Sequence, residues 1–220
     1  MLISHTHRFI YIHVLKTAGT SVSACFAPYS RFVDRLVYGY YPTVKFFNAF
    51  NIVFNRKGIE WLTGFTKHAK AVDVRSKVPA ALFEEYFKFG FVRNPWDWMV
   101  SLYFYLQGNK RLAAHKRVSK MTFSEFIKTR CRNNSLQQID FISDPERRML
   151  VDFVGRFECL EEDIRYICSR LDITAPQLPQ KNISYRRPQK DYRAYYDPET
   201  AGLVKQSFAE DIKIFGYSFN

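Results

Sequence analysis

The chain has 220 residues, is 47% hydrophobic with 21 Phe and 14 Tyr, and carries a formal net charge of +12. That length and apolar content suffice for one substantial core and exclude a disordered chain. No apolar run approaches the ~20 residues that span a bilayer, and the excess positive charge calls for an anionic partner: nucleotide phosphate, acidic glycan or nucleic acid.

In chain order, RFIYIHV (residues 8–14) reads as a buried strand, followed by a turn and a short helix running into SVSACF. Residues 29–60 are rich in aromatics without a clean period, and irregular structure or short helices are expected there. YFKFGFVR, ending at Arg93, is the second strand. The helix NPWDWMVSLYFYL follows, with Asn94 as N-cap, Pro95 at the first helical position and Asp97 in the first turn. KRLAAHKRVSK is a basic, exposed segment, and Thr122 with Glu125 forms a capping box for the next helix. VDFVGRFE is the third strand and LEEDIRYICSRL an amphipathic helix. A loop over 177–192 leads to Asp197-Pro198-Glu199, which opens one last helix, ETAGLVKQSFAEDIKIF. Strands alternating with helices predict an α/β fold: a three-layer sandwich, central parallel sheet, helices on both faces, one domain over 1–220.

Cys25, Cys131, Cys159 and Cys168 are far apart and form no CxxC pair. Reduced, partly buried thiols are expected, with neither a metal site nor a disulfide framework. The sequons Asn133-Asn134-Ser135 and Asn182-Ile183-Ser184 lack any secretory context.

The segment HVLKTAGTSV (13–22) ends the first strand in a loop of small and hydroxylated residues. In a parallel sheet, ligands bind beyond the carboxyl ends of strands. There, backbone N–H groups, the N-terminus of the next helix, Lys16 and the hydroxyls of Thr17, Thr20 and Ser21 suit a phosphate-like anion. The order is not that of a GxxxxGK[ST] loop, because the lysine precedes Gly19. Arg93, at the end of the second strand, has two readings: a forked pair with a phosphate, or a pair with a carboxylate. Ser101, eight residues on, adds a phosphate hydrogen bond or lies on an ordinary helix surface.

Together, KTAGTS, FVRNPWDWMVSLY, GRFECLEEDIRYICSRLDI and the stretch from KNISYRRP to FGYSF resemble the sulfotransferases that use 3′-phosphoadenosine 5′-phosphosulfate (PAPS), most closely the carbohydrate and bacterial group. The resemblance covers nearly the whole chain. It implies that Lys16, Thr17, Ala18, Gly19, Thr20 and Ser21 bind the 5′-phosphosulfate (loop 13–22), and that Arg93 and Ser101 bind the 3′-phosphate (87–106). Arg186 or Arg187, in 180–216, would close over the nucleotide; surface solvation is the equal alternative. The product is adenosine 3′,5′-bisphosphate, and no metal is required. Leu15 stands where the family usually has proline, and Trp98 replaces a common arginine.

Sulfuryl transfer to a hydroxyl needs a base. By resemblance His68, 25 residues before Arg93, is the leading candidate, against the plainer reading of an exposed helix-start histidine; Lys16 would stabilise the leaving phosphate. His13 competes as base but reads better as packed beneath the loop. Asp163 and Asp211 read as helix surfaces or structural pairs. The acceptor expected is a saccharide or acidic glycan, its pocket shaped by 29–66 and 108–120. The alternatives are a phosphate-loop nucleotide kinase and a non-catalytic basic nucleotide- or nucleic-acid-binding protein; no nucleic-acid motif appears. Without signal or span, a soluble cytoplasmic protein is expected, or a Golgi-lumen enzyme freed of an anchor.

Overall fold

The computed structural model describes residues 1–30, 67–132, 136–178 and 187–220. Both sequons, Arg186 and the aromatic-rich stretch from residue 31 to 66 lie outside the described residues. The elements are β1 (Leu2–Ser4), β2 (Phe9–Ile12), α1 (Gly19–Phe26), α2 (Ala71–Lys77), α3 (Ala80–Glu85), β3 (Phe87–Val92), α4 (Pro95–Gly108), α5 (His115–Val118), α6 (Phe123–Arg132), α7 (Ile139–Ile142), β4 (Phe153–Arg156), α8 (Leu160–Arg170), α9 (Pro198–Ser207) and α10 (Ala209–Phe215). Short 3-10 turns cover Ala27–Tyr29, Phe157–Cys159 and Tyr192–Tyr195. They group into two compact units: Met1–Val92 with Asp140–Lys181, and Arg93–Ile139 with Asn182–Asn220.

The first unit holds the sheet, in the order β1-β2-β3-β4. β2–β3 and β3–β4 are parallel, with Ile12 opposite Gly90 and Val92 opposite Arg156. The three strands read from sequence therefore form the parallel part. β1 is an addition, pairing antiparallel at the edge with Leu2 opposite Tyr11, so the sheet is mostly rather than wholly parallel. Alternation along the strands puts Phe9, Tyr11, Phe89 and Phe91 on one face. They pack there with Val22, Cys25 and Phe26 of α1 and Ile164, Ile167 and Cys168 of α8. Ile10, Ile12 and Gly90 fall on the opposite face, where a Cβ on Gly90 would stand 3.0 Å from Ile142 of α7. Gly155 has to be glycine: a Cβ would lie 2.4 Å from the Phe91 ring.

The second unit is helical. Asn94 caps α4 by accepting from the Trp96 N–H at 3.1 Å, with Pro95 at the first position. The Thr122–Glu125 box opens α6, with the Thr122 N–H donating to Glu125 at 2.8 Å and the Glu125 N–H to the Thr122 hydroxyl at 3.3 Å. Asp197 and Thr200 cap α9 in the same reciprocal way. The single last helix expected over 199–215 is two, broken at Phe208 (φ −117°, ψ 27°), whose ring is fully buried edge-on to Trp98. That contact also accounts for Trp98, which is a core residue here. The basic segment 110–120 contains one helical turn, α5, whose Lys116 and Arg117 are exposed.

Candidate functional site

In the first unit, β2 and β3 are parallel neighbours, so Ile12 and Val92 lie at the same, carboxyl end of the strands. Beyond Ile12 the chain turns through His13, Val14 and Leu15 into the loop. Lys16 (φ 63°) and Ala18 (φ 61°, ψ 16°) both lie in the left-handed region. For non-glycine residues that conformation costs about 1–2 kcal/mol each and collects at functional turns. Thr17 is wholly buried, and its hydroxyl donates to the Val14 carbonyl at 3.0 Å. It braces the loop from within. Ala18 occupies the N-cap of α1 and supplies no side-chain acceptor to the helix's first N–H groups. Those N–H groups carry the positive end of the helix dipole. Lys16 is half-buried, Thr20 exposed and Ser21 buried.

His13 lies under this loop, 3% exposed. A Cβ on Gly19 would fall 1.8 Å from its Nε2, so only glycine lets α1 start this close to the ring. Burial first, then neighbouring positive groups including His68 and Lys67, push the His13 pKa well below 6.5, so the ring stays neutral. Its Nδ1 is buried with no hydrogen-bond partner. The better of its two sequence readings, a histidine packed beneath the loop, is what its position shows.

His68 stands edge-on to His13, ring centroids 4.6 Å apart, with its Nδ1 3.0 Å from the His13 carbonyl oxygen. A carbonyl only accepts, so Nδ1 carries the proton and a neutral His68 keeps its lone pair on Nε2. The fold therefore brings His13, His68 and the Lys16–Ser21 loop together. His68 is half-buried and lies three residues before the start of α2, unlike an exposed helix-start histidine.

The second unit begins at Arg93, directly after β3. Its backbone is held on both sides by one amide: the Arg93 N–H donates to Gln138 Oε1 and Gln138 Nε2 donates to the Arg93 carbonyl, both at 2.8 Å. Gln138 is itself fixed by Asp211, whose carboxylate accepts the Gln138 N–H at 2.8 Å and the Ile139 N–H at 2.9 Å. Asp211, fully buried, is structural, in keeping with one of its two readings. The Arg93 guanidinium pairs with Asp97, through Nε at 2.7 Å and Nη2 at 2.6 Å, both on Oδ2. The carboxylate reading of Arg93 is thus realised within its own helix start. Arg187 Nη1 reaches the other oxygen, Oδ1, at 2.6 Å. Arg187 also donates from Nε to the Gln189 carbonyl at 2.8 Å and lies over the Tyr195 ring. Its Nη2 is buried with no hydrogen-bond partner among the described residues.

Ser101 is buried on α4, two turns along from Arg93. Asn94 donates to the Ser218 carbonyl at 2.8 Å, tying the C-terminal FGYSF stretch to the start of α4. Three residues that hold Arg93 were not linked to it in the sequence. Asp97 is four residues from Arg93, a spacing that signals an ion pair. Gln138 and Asp211, 45 and 118 residues from Arg93, carry no local signal. Among the described residues no cluster of three His, Cys, Asp or Glu is arranged to hold a metal ion, and no helix is long and apolar enough to cross a membrane.

A model of the sulfotransferase family matches residues 1–218. An uncharacterized protein of Archaeoglobus fulgidus is 34% identical to this chain over 105 residues, covering 46% of this chain and 79% of that relative.

Proposed function

The chain belongs to the sulfotransferase family and is a PAPS-dependent sulfotransferase; from that premise we propose that it sulfates a hydroxyl of a saccharide, an acidic glycan. The observation that carries the site assignment is the loop after β2, where strained Lys16 and Ala18 and an α1 N-terminus without a side-chain cap meet the paired histidines. PAPS supplies the sulfuryl group and leaves as adenosine 3′,5′-bisphosphate.

The residues fit that donor in kind. The buried N–H of Arg187 beside Arg93 is a donor without an acceptor among the described residues, as an anion site requires. In this reading Arg93, Ser101 and Arg187 hold the 3′-phosphate. Arg186 joins them by resemblance alone. Lys16 and the N–H groups of residues 17–20 hold the 5′-phosphosulfate, while the Ser21 N–H donates to the Ala18 carbonyl at 2.8 Å.

His68 Nε2 takes the proton of the acceptor hydroxyl while its oxygen forms a bond to sulfur. The sulfur–oxygen bond to the 5′-phosphate breaks, and the electron pair leaves on the phosphate oxygen. Lys16 stabilises that developing charge. The His13 carbonyl keeps Nδ1–H in place, and so keeps the basic nitrogen on the other side of the ring.

The saccharide assignment rests on the net charge of +12 and on the exposed cations Lys110, Arg111, Lys116, Arg117 and Lys120, which suit an anionic chain. The test is transfer of labelled sulfate from PAPS to a desulfated acidic glycan, a neutral oligosaccharide and a phenol. Labelling of the glycan above the other two supports the proposal; labelling of the phenol alone overturns it.

A further inference from the structure

The family reading gives no work to Asp97, yet it is the residue on which the two arginines of the second unit converge. Each oxygen serves a different guanidinium: Oδ2 takes Nε and Nη2 of Arg93, and Oδ1 takes Nη1 of Arg187. The three side chains are 9%, 14% and 13% exposed for Arg93, Asp97 and Arg187. Solvent and salt therefore screen this pairing little. One carboxylate between two guanidiniums leaves a net charge of about +1. The rest of Arg187 is also held, by the Gln189 carbonyl on Nε and by the Tyr195 ring, whose centroid lies 5.8 Å from the guanidinium carbon. Its Nη2 donors alone are buried without an acceptor among the described residues, at a cost that a purely structural ion pair would have no reason to carry.

We infer that Asp97 is a positioning residue for recognition of the 3′-phosphate: it locks Arg93 and Arg187 side by side, with the Arg187 Nη2 donors left for a phosphate oxygen. The inference rests on the reading of Arg93 as a 3′-phosphate ligand. Asp97 itself repels an anion, so its benefit is entirely in orientation. The saving is in ordering: two long side chains that would otherwise be immobilised on binding are already fixed. An alternative in which the carboxylate merely competes with phosphate for Arg93 predicts the opposite sign on its removal.

The test is the ratio of 5′-AMP to adenosine 3′,5′-bisphosphate dissociation constants, measured by calorimetry on the whole chain. Five proteins are compared: wild type, Asp97→Asn, Asp97→Glu, Arg187→Lys and Arg93→Ala. Asp97→Asn keeps size and one acceptor oxygen, while Arg187→Lys keeps charge but loses the fork. Each is expected to lower the ratio about tenfold or more, with 5′-AMP affinity unchanged within about twofold. Asp97→Glu should restore part of the ratio. A merely structural carboxylate would instead lower both affinities together.

If Arg93→Ala abolishes the ratio but Asp97→Asn preserves or raises it, the inference fails and the 3′-phosphate reading stands. If wild type shows no preference for the bisphosphate, that reading fails and the inference with it. Should Asp97→Asn not fold, Arg187→Lys carries the same test, and an unchanged ratio there overturns the inference.

Discussion

His13 links stability to the chemistry of the loop. Its pKa lies below the ordinary 6.5 because the ring is buried. Stability from this group is fully present above that value. As pH falls below about 6.5 the unfolded chain takes up a proton that the native state refuses, so stability is lost at up to about 1.4 kcal/mol per pH unit until the folded pKa is reached. A His13→Phe variant, with a ring of similar size and no proton to bind, should lack that share of the acid slope in urea unfolding at pH 7.5, 6 and 5. An unchanged slope would contradict the assignment. Gly19→Ala brings a methyl onto the same ring. It should displace the start of α1 and abolish binding of adenosine 3′,5′-bisphosphate, while a distant control such as Gly202→Ala, where a Cβ meets nothing within 4 Å, should bind as wild type does. For His68, the prediction is a His68→Ala turnover lower by about 10²–10⁴-fold with bisphosphate affinity retained. Retained turnover would remove His68 as the base. That Lys16 falls in the turn between β2 and α1 and that Arg93 directly follows β3 could be read from the apolar runs that precede them. The His68 tautomer could not, because it depends on a carbonyl 55 residues away.

The elements show where local patterns decide and where packing does. The caps at Asn94, Thr122 and Asp197 could be read directly, since a capping residue interacts with neighbours two or three positions on. The strands β2, β3 and β4 carried apolar runs long enough to recognise. β1, three residues long, has no period to read, and its partner Tyr11 lies across a turn. The break between α9 and α10 was hidden because nothing in SFAEDI forbids a helix; the Phe208 ring is instead buried against Trp98. The clamp on Arg93 belongs to this scale. Asp211 in α10 holds Gln138 and Ile139 just before and at the start of α7, and Gln138 holds Arg93. Asp211→Ala would leave two buried N–H groups without acceptors, at about 1–3 kcal/mol each. It should lower thermal stability and, by loosening Arg93, weaken selection for the 3′-phosphate. Normal selectivity in a folded Asp211→Ala protein would show that the clamp serves stability alone.

At the scale of the molecule, the two units divide the assigned labour. One carries the sheet, the loop and the histidine pair; the other carries the arginines and their carboxylate. Family membership makes the chain a PAPS-dependent sulfotransferase, and its net charge of +12 suits anionic ligands generally. Charge alone would favour any nucleotide. A true cofactor site distinguishes a 3′-phosphate from its absence. The most direct measurement is calorimetric titration of the wild-type protein with adenosine 3′,5′-bisphosphate, against 5′-AMP and ATP, with Arg93→Ala alongside. Tight binding that requires the 3′-phosphate and collapses in Arg93→Ala is the predicted result. Equal binding of 5′-AMP, or indifference to the loss of Arg93, would contradict the assignment of Arg93 to the 3′-phosphate.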